Sequence, residues 1–272
     1  MEELIISAEH EEKNYWRDLW SYRELVYFLA WRDILVRYKQ TTVGVAWAIL
    51  RPVITIIIGS ILSQKVAGIT SGPVPPVLMV GAGTLAWQLF ATAFSDAGNS
   101  LVSNSNLISK IYFPRLLVPM STLAVGFVDF TVSLVILCGL MVWYQYLPDI
   151  HILLLPLFIL LALLASLGAG LWIAALTVKY RDFRFIAPFI VQMGFFISPV
   201  WYTSDRFQGY ERLIYSLNPI VGPIDGFRWA IFRGTMPLDL PGLFVSTGTS
   251  ALLLITAILY FRKTEKSFAD MI

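Results

Sequence analysis

Charge is what this chain has least of. Only 14% of its 272 residues are Asp, Glu, Lys or Arg, where a soluble domain carries about 25%. Apolar residues make up 57%. A soluble fold of this length has too little interior to hide that surface, so the expected solvent is a bilayer. The net charge of +2 is too small to point to nucleic acid. There is one cysteine, Cys138, set in an apolar run. An intrachain disulfide is therefore excluded, and the thiol reads as a packing residue. The two histidines, His10 and His151, are too isolated to form a metal site. No Ser/His/Asp or Cys/His arrangement is evident. No G-x-x-x-x-G-K-[ST] loop is present, which excludes P-loop binding of ATP by this chain. The first 25 residues hold no uninterrupted apolar stretch, so no cleavable signal peptide is expected. Nothing repeats at solenoid periods.

What the chain does have is long apolar runs. A membrane helix needs about 20 mostly apolar residues to cross roughly 30 Å. Six stretches meet that length or approach it: 43–64, 73–95, 120–143, 152–178, 185–202 and 242–261. The first contains Arg51 and the third Asp129; the other four carry no charge. The expected fold is an all-α membrane protein with six transmembrane helices. Fourteen Lys/Arg fall on the side of the termini and five (Lys65, Arg206, Arg212, Arg228, Arg233) on the other. That bias places both termini in the cytoplasm, since basic loops stay inside.

The segment between the fifth and sixth runs is too long for a turn and too apolar for a soluble loop. ERLIYSLNP and IDGFRWAIF read as short helices, separated by Asn218-Pro219 and Gly222-Pro223. Neither can span, so a re-entrant helix pair over 208–232 is expected, packed on protein at membrane depth. A lid on the outer surface is the other reading.

Residues 1–42 form a cytoplasmic front piece. On a 100° wheel, Trp16, Trp20, Tyr27, Trp31, Ile34, Leu35 and Tyr38 share one face, with Asp33, Arg37 and Gln40 opposite. This is the pattern of amphipathic helices lying in the membrane interface with their rings among the headgroups. The phase slips near Ser21–Glu24, which implies two helices. Packing on the protein's own cytoplasmic surface is the alternative.

The run WRDILVRYKQTTVGVAWAILRP, followed by six spans, resembles the membrane subunit of ABC-type polysaccharide exporters, the ABC-2 permeases for O-antigen, capsule or teichoic-acid chains. Its marks are the Arg-Asp pair, the Arg-Tyr pair, T-x-x-G-x-x-W and a proline at the first span. NLISKIYFPRLLVP (106–119), KYRDFRFIAPFI (179–190) and NPIVGPIDGFRWAIF (218–232) are similar to the same family. The resemblance covers nearly everything from residue 20 onward, and its specificity lies in the order and spacing of the motifs.

The resemblance implies a homodimeric permease of the bacterial inner membrane. Two separate nucleotide-binding subunits would hold ATP and Mg, and this chain would be no enzyme and carry no cofactor. Its cargo would be a lipid-linked polysaccharide, carried on a polyprenyl pyrophosphate. The transmembrane domain would be 43–262 and the cytoplasmic tail 263–272. Coupling to the ATPase would fall on residues 103–113, where Ser103, Asn104 and Ser105 are candidate N-caps, on 178–185, and on residues 10–25. Asn104, Asn106, Lys110, Tyr112, Lys179 and Arg181 are the coupling candidates.

Two residue types suit such a cargo. Aromatic rings pack on the C–H faces of sugars with little sequence preference. Trp87, Phe90, Phe94, Phe195, Phe196, Trp201, Tyr202, Tyr215, Phe227 and Trp229 are the channel-lining candidates, set against ordinary packing or interface roles. Arginine suits a pyrophosphate through its planar fork of donors. Arg37, Lys39 and Arg51 are the head-group candidates, with Arg51 also able to snorkel to the headgroups. Asp129, in mid-span, calls for a partner, for which Arg51 is the candidate; Asp96 falls at the edge of the second span.

Other classes remain beside this one: an ABC permease for a small lipid or drug, and a membrane-embedded lipid-linked glycosyltransferase. The enzyme should show clustered acids or histidines at one membrane face. A proton-coupled flippase should carry paired charges deep in several spans.

Overall fold

The computed structural model describes residues 15–39, 44–66, 74–232, 234, 238–265 and 268. The junction at 40–43 between the front piece and the first run, and most of the two terminal segments, lie outside these residues. Among the described residues every regular element is helical. The helices are α1 (Tyr15–Ser21), α2 (Arg23–Lys39), α3 (Gly44–Ile61), α4 (Pro76–Ser103), α5 (Ser105–Ile108), α6 (Leu117–Trp143), α7 (Leu155–Lys179), α8 (Phe183–Ile197), α9 (Gly209–Tyr215), α10 (Val221–Ile231) and α11 (Leu240–Glu265).

Four of these, α4, α6, α7 and α11, are long and apolar enough to cross a membrane. Their 25 to 28 residues extend about 38–42 Å at 1.5 Å per residue. The two other predicted spans become α3 and α8. α3 has 18 residues and carries Pro52 inside it. α8 has 15 residues, with Pro188 inside it, and is apolar but shorter than a crossing. α4 runs past the predicted end of its span at Ser95 as far as Ser103, which puts Asp96 inside a helix and not in a loop beyond it.

α4 is the axis of the bundle. Its most apolar window is 78% buried, against 33% for α6 and α7 and 22% for α11. Between membrane helices there is little hydrophobic gain, since lipid is as apolar as leucine, and close packing decides who touches whom. Small residues permit it here. A Cβ on Gly170 of α7 would lie 2.7 Å from the Ala97 Cβ of α4, and one on Gly168 would lie 2.8 Å from the backbone nitrogen of Leu254 on α11. Leucines and valines on the outer faces of α6, α7 and α11, such as Val135, Leu160 and Leu252, are exposed, as lipid-facing positions should be.

At one end of the bundle, α1 is tied to the end of α11. Tyr15 donates to Glu265 Oε2 at 3.0 Å, and the Arg115 backbone N–H donates to Glu265 Oε1 at 2.6 Å. Arg262 sits over the Tyr15 ring at 4.6 Å. The front helix breaks at Tyr22, within the stretch where its apolar phase slips. α2 buries Leu29 and Ala30 and packs along α6, leaving Trp16, Trp20, Tyr27, Phe28 and Trp31 exposed. Most of the aromatic rings thus point away from the chain, and the face that meets it is apolar around Leu29 and Ala30 and becomes ionic only toward Arg37.

At the other end, α9 and α10 are two short helices linked through Asn218-Pro219. The expected second break at Gly222-Pro223 is instead the first turn of α10. Proline is tolerated there because N–H groups in a first turn have no intrahelical acceptor.

Candidate functional site

α2 lies against α4 and α6 through ionic side chains. Arg37 Nη1 meets Asp96 Oδ2 of α4 at 2.8 Å, and Arg37 Nη2 meets Asp129 Oδ2 of α6 at 3.2 Å. The Tyr38 hydroxyl donates to Asp129 Oδ1. One turn earlier Arg32 donates to Asn104 Oδ1 at 2.6 Å, at the end of α4, and to Asp33. The pairing expected between Asp129 and Arg51 does not form. The reason is register: α2 runs along α6 at that depth, so Arg37 and Tyr38 reach Asp129 first. Arg37 is thus engaged by the chain's own carboxylates, while Lys39 is exposed at the last residue of α2.

Beside this cluster lies a cavity of about 590 Å³, with walls from α2, α3, α4 and α8. α3 contributes Arg51 and Thr55, and α8 contributes Gln192, Phe195 and Phe196. α4 contributes Thr84, Trp87, Gln88, Thr92, Ser95 and Asp96. On α4 these positions recur at three- and four-residue steps, a polar stripe down one face of an apolar helix. Thr84 is buried, and its hydroxyl has no hydrogen-bond partner. Arg37 reaches the cavity already held by two carboxylates, whereas Arg51 makes no ion pair among the described residues. The cavity therefore offers one guanidinium fork, hydroxyls and amides along one wall, and aromatic rings along another. Trp87 and Phe195 stand 6.1 Å apart, centroid to centroid, and Phe195 and Phe196 5.7 Å.

The ABC-2 type transporter model matches residues 24–232, a span that includes every cavity residue and the whole of α10. The chain belongs to the ABC-2 type transporter family. Among curated proteins it is 26% identical over 258 residues to the O-antigen export system permease protein RfbA of Myxococcus xanthus, covering 94% of this chain and 98% of that protein. It is 22% identical over 250 residues to the protein of the same name in Klebsiella pneumoniae, covering 92% and 95%.

In this ABC-2 chain the remaining predicted aromatics divide by place. Phe90, Phe94 and Phe227 are buried in the chain's own core and do not line the cavity; Phe227 packs edge-on against Phe130 at 5.9 Å. The i, i+3, i+7 spacing of Trp87, Phe90 and Phe94 gave them one face, but only Trp87 lies close enough to the polar stripe to share its wall. Trp201 packs edge-on against Phe195 at 5.1 Å. Tyr202 and Tyr215 both donate to Ile197 O, at 2.6 and 2.8 Å, tying the end of α8 to α9. Trp229 packs on His151 at 4.6 Å.

The coupling candidates sit at the end that carries α1 and the end of α11. α5 is one turn long, and no side chain caps it: Asn104 occupies the N-cap position but its Nδ2 donates back to Ser100 O at 2.9 Å. Its carbonyl oxygen is taken by Arg32, so the side chain serves the α2–α4 junction and not the N-terminus of α5. Asn106, Lys110, Ile111 and Tyr112 are exposed. Lys179 lies over the Tyr180 ring at 5.2 Å, and Arg181 is exposed beside it.

A second ionic cluster, not expected from the sequence, lies at the opposite end. Arg212 of α9 donates from Nε to Asp239 Oδ2 at 2.8 Å and from Nη2 to Asp225 Oδ2 of α10 at 2.6 Å. Ser204 also donates to Asp225. Three residues on, Arg228 is 1% exposed and donates to Val200 O and Tyr202 O at 2.8 Å each, and to Met79 O at 3.3 Å. A signal was present: Asp225 and Arg228 stand three apart in an otherwise apolar helix, and buried charge in such a setting needs partners.

Proposed function

We propose that this chain is the channel-forming permease subunit of an ATP-driven exporter for a cell-surface polysaccharide of the O-antigen kind. The observation that carries the reading is the cavity beside α2, where Arg51 faces a polar stripe and a wall of aromatic rings. That combination fits an amphiphile with an anionic head and sugar units. The guanidinium fork holds phosphate oxygens in pairs. Hydroxyls and amides of Thr55, Thr84, Gln88 and Ser95 match sugar hydroxyls. Trp87, Phe195 and Phe196 give C–H faces a flat surface that accepts any sugar.

The lipid carrier follows from the same layout. α2 turns most of its rings outward and sends Arg37 to the cavity's edge, so a polyprenyl chain stays in the bilayer while its pyrophosphate reaches the cavity. In the working exporter two copies form the channel in a bacterial inner membrane, each with six crossings. α9 and α10 form the re-entrant pair on the outer side. Two ATPase subunits dock at the exposed turn around α5 and at 178–185.

The test is purification of the full chain from its host with whatever ATPase accompanies it. ATP hydrolysis should rise on addition of the host's lipid-linked glycan, and disruption of the chain should leave that glycan inside the cell. Normal surface glycan after disruption, or a chain that purifies alone as an active transferase, would overturn the reading.

A further inference from the structure

The end of the molecule that carries α9 holds a second cavity, of about 510 Å³, whose chemistry differs from the first. Its walls include Phe207, Gln208, Tyr210, Arg212, Asp239 and Pro241. Two rings and a proline give flat apolar surface, and Phe207 is braced from behind by a stack on Tyr215 at 4.3 Å. Gly209 is in the left-handed region at φ +57°, which turns the chain between Gln208 and Tyr210 so that both border the same space.

The polar groups are held in place before any ligand arrives. Arg212 is clamped by Asp239 at 2.8 Å and Asp225 at 2.6 Å, and its Nη1 is buried without a hydrogen-bond partner. One guanidinium against two carboxylates leaves no surplus positive charge. Such a site repels a phosphate and favours a neutral ligand rich in hydroxyls, since a carboxylate accepts from hydroxyls while Arg and Gln donate to them. The volume falls in the range of small-molecule pockets, and apolar walls with a few fixed polar groups are their usual make-up.

We propose that this cavity is a binding subsite for neutral sugar residues of the exported glycan, at the opposite end of the chain from the Arg51 cavity. This inference rests on the exporter reading and deepens it: the cationic cavity takes the phosphate head, and the one without surplus positive charge takes the polymer.

The test is photo-cross-linking in glycan-producing cells, with the full chain in its complex. Tyr210, which is 86% exposed, is exchanged for benzoylphenylalanine (Tyr210→Bpa), and in a second strain Phe196 is exchanged likewise (Phe196→Bpa). The expected result is a glycan-stained adduct at both positions, lost in a strain that makes no glycan. Tyr210→Ala should slow export about 2- to 10-fold, the equivalent of one aromatic contact, with Tyr210→Trp restoring it and membrane levels unchanged. An adduct at Phe196 alone, or one at Tyr210 that persists without glycan, overturns the subsite and leaves the exporter reading standing. Adducts at neither position overturn both.

Discussion

Arg37 and Asp129, on α2 and α6, meet at 3.2 Å, and Asp96 of α4 closes the same guanidinium from the other side at 2.8 Å. One arginine thus joins three helices beside the cavity. The Arg37 side chain is 37% exposed and Asp129 26%, so each pair contributes only about 0–1 kcal/mol. That is a latch, strong enough to set where α2 rests and weak enough to release. Asp129→Asn should raise hydrogen exchange of the α2 amides about fivefold, the effect of roughly 1 kcal/mol on local opening. α4 and α7 should be unaffected. Exchange of α2 identical to the parent chain would show that apolar contacts at Leu29 and Ala30 hold it alone.

Arg51 poses the opposite case, a guanidinium with no ion pair among the described residues, on the wall of a cavity. Its removal should cost little in folding and much in substrate handling. Arg51→Gln should raise the lipid-linked glycan concentration for half-maximal ATPase stimulation roughly tenfold or more, the worth of a hydrogen bond to a charged group. Arg51→Lys should recover part of it, as a point charge without the fork. Normal stimulation and export in Arg51→Gln would sink the head-group role.

The exposed turn after α5 makes a third prediction. Lys110 and Ile111 project from the turn that follows the one-turn helix α5, at the end of the molecule that carries α1. If the ATPase docks there, Lys110→Glu with Ile111→Ser should abolish co-purification of the ATPase while the chain accumulates in membranes at its usual level. Unchanged complex assembly and export would show that this is a plain basic loop.

Much of this architecture can be read from residues, because the strongest signals in a membrane chain are local. Long runs with at most one charge become α4, α6, α7 and α11, and the phase slip near Ser21–Glu24 becomes the break at Tyr22. What could not be read locally was partnership. Asp129 announced a need for a cation, but whether Arg37 or Arg51 would answer depends on which helix runs beside α6. The aromatic stripe on α4 suffered the same ambiguity, since spacing says which residues share a face and not what the face meets. The polar stripe Thr84–Gln88–Ser95 was legible in principle, being one face of an otherwise apolar helix. The aromatics beside it are the stronger signal along the same helix.

Arg228 gives the sharpest structural prediction. Its guanidinium is 1% exposed and donates to three backbone carbonyls, those of Val200, Tyr202 and Met79. The Val200 and Tyr202 carbonyls belong to the segment after α8, where the chain has left regular helix, whereas Met79 lies inside α4, whose own ladder also serves its carbonyl. The arginine therefore supplies donors to two carbonyls outside regular helix and pins α10 and the segment after α8 to α4. Arg228→Met would fill much of the volume yet take this donor from the Val200 and Tyr202 carbonyls, at about 1–3 kcal/mol each, a large part of a stability of roughly 5–15 kcal/mol. Arg228→Lys should rescue little, because one ammonium on a flexible stem cannot cover three oxygens that a planar fork spans. Both variants should show several-fold lower membrane levels and a lower melting temperature of the detergent-extracted chain. Tyr210→Ala, at the exposed rim of the same region, should match the parent in both. Parent-like levels and melting in Arg228→Met would mean that the Val200 and Tyr202 carbonyls find other donors.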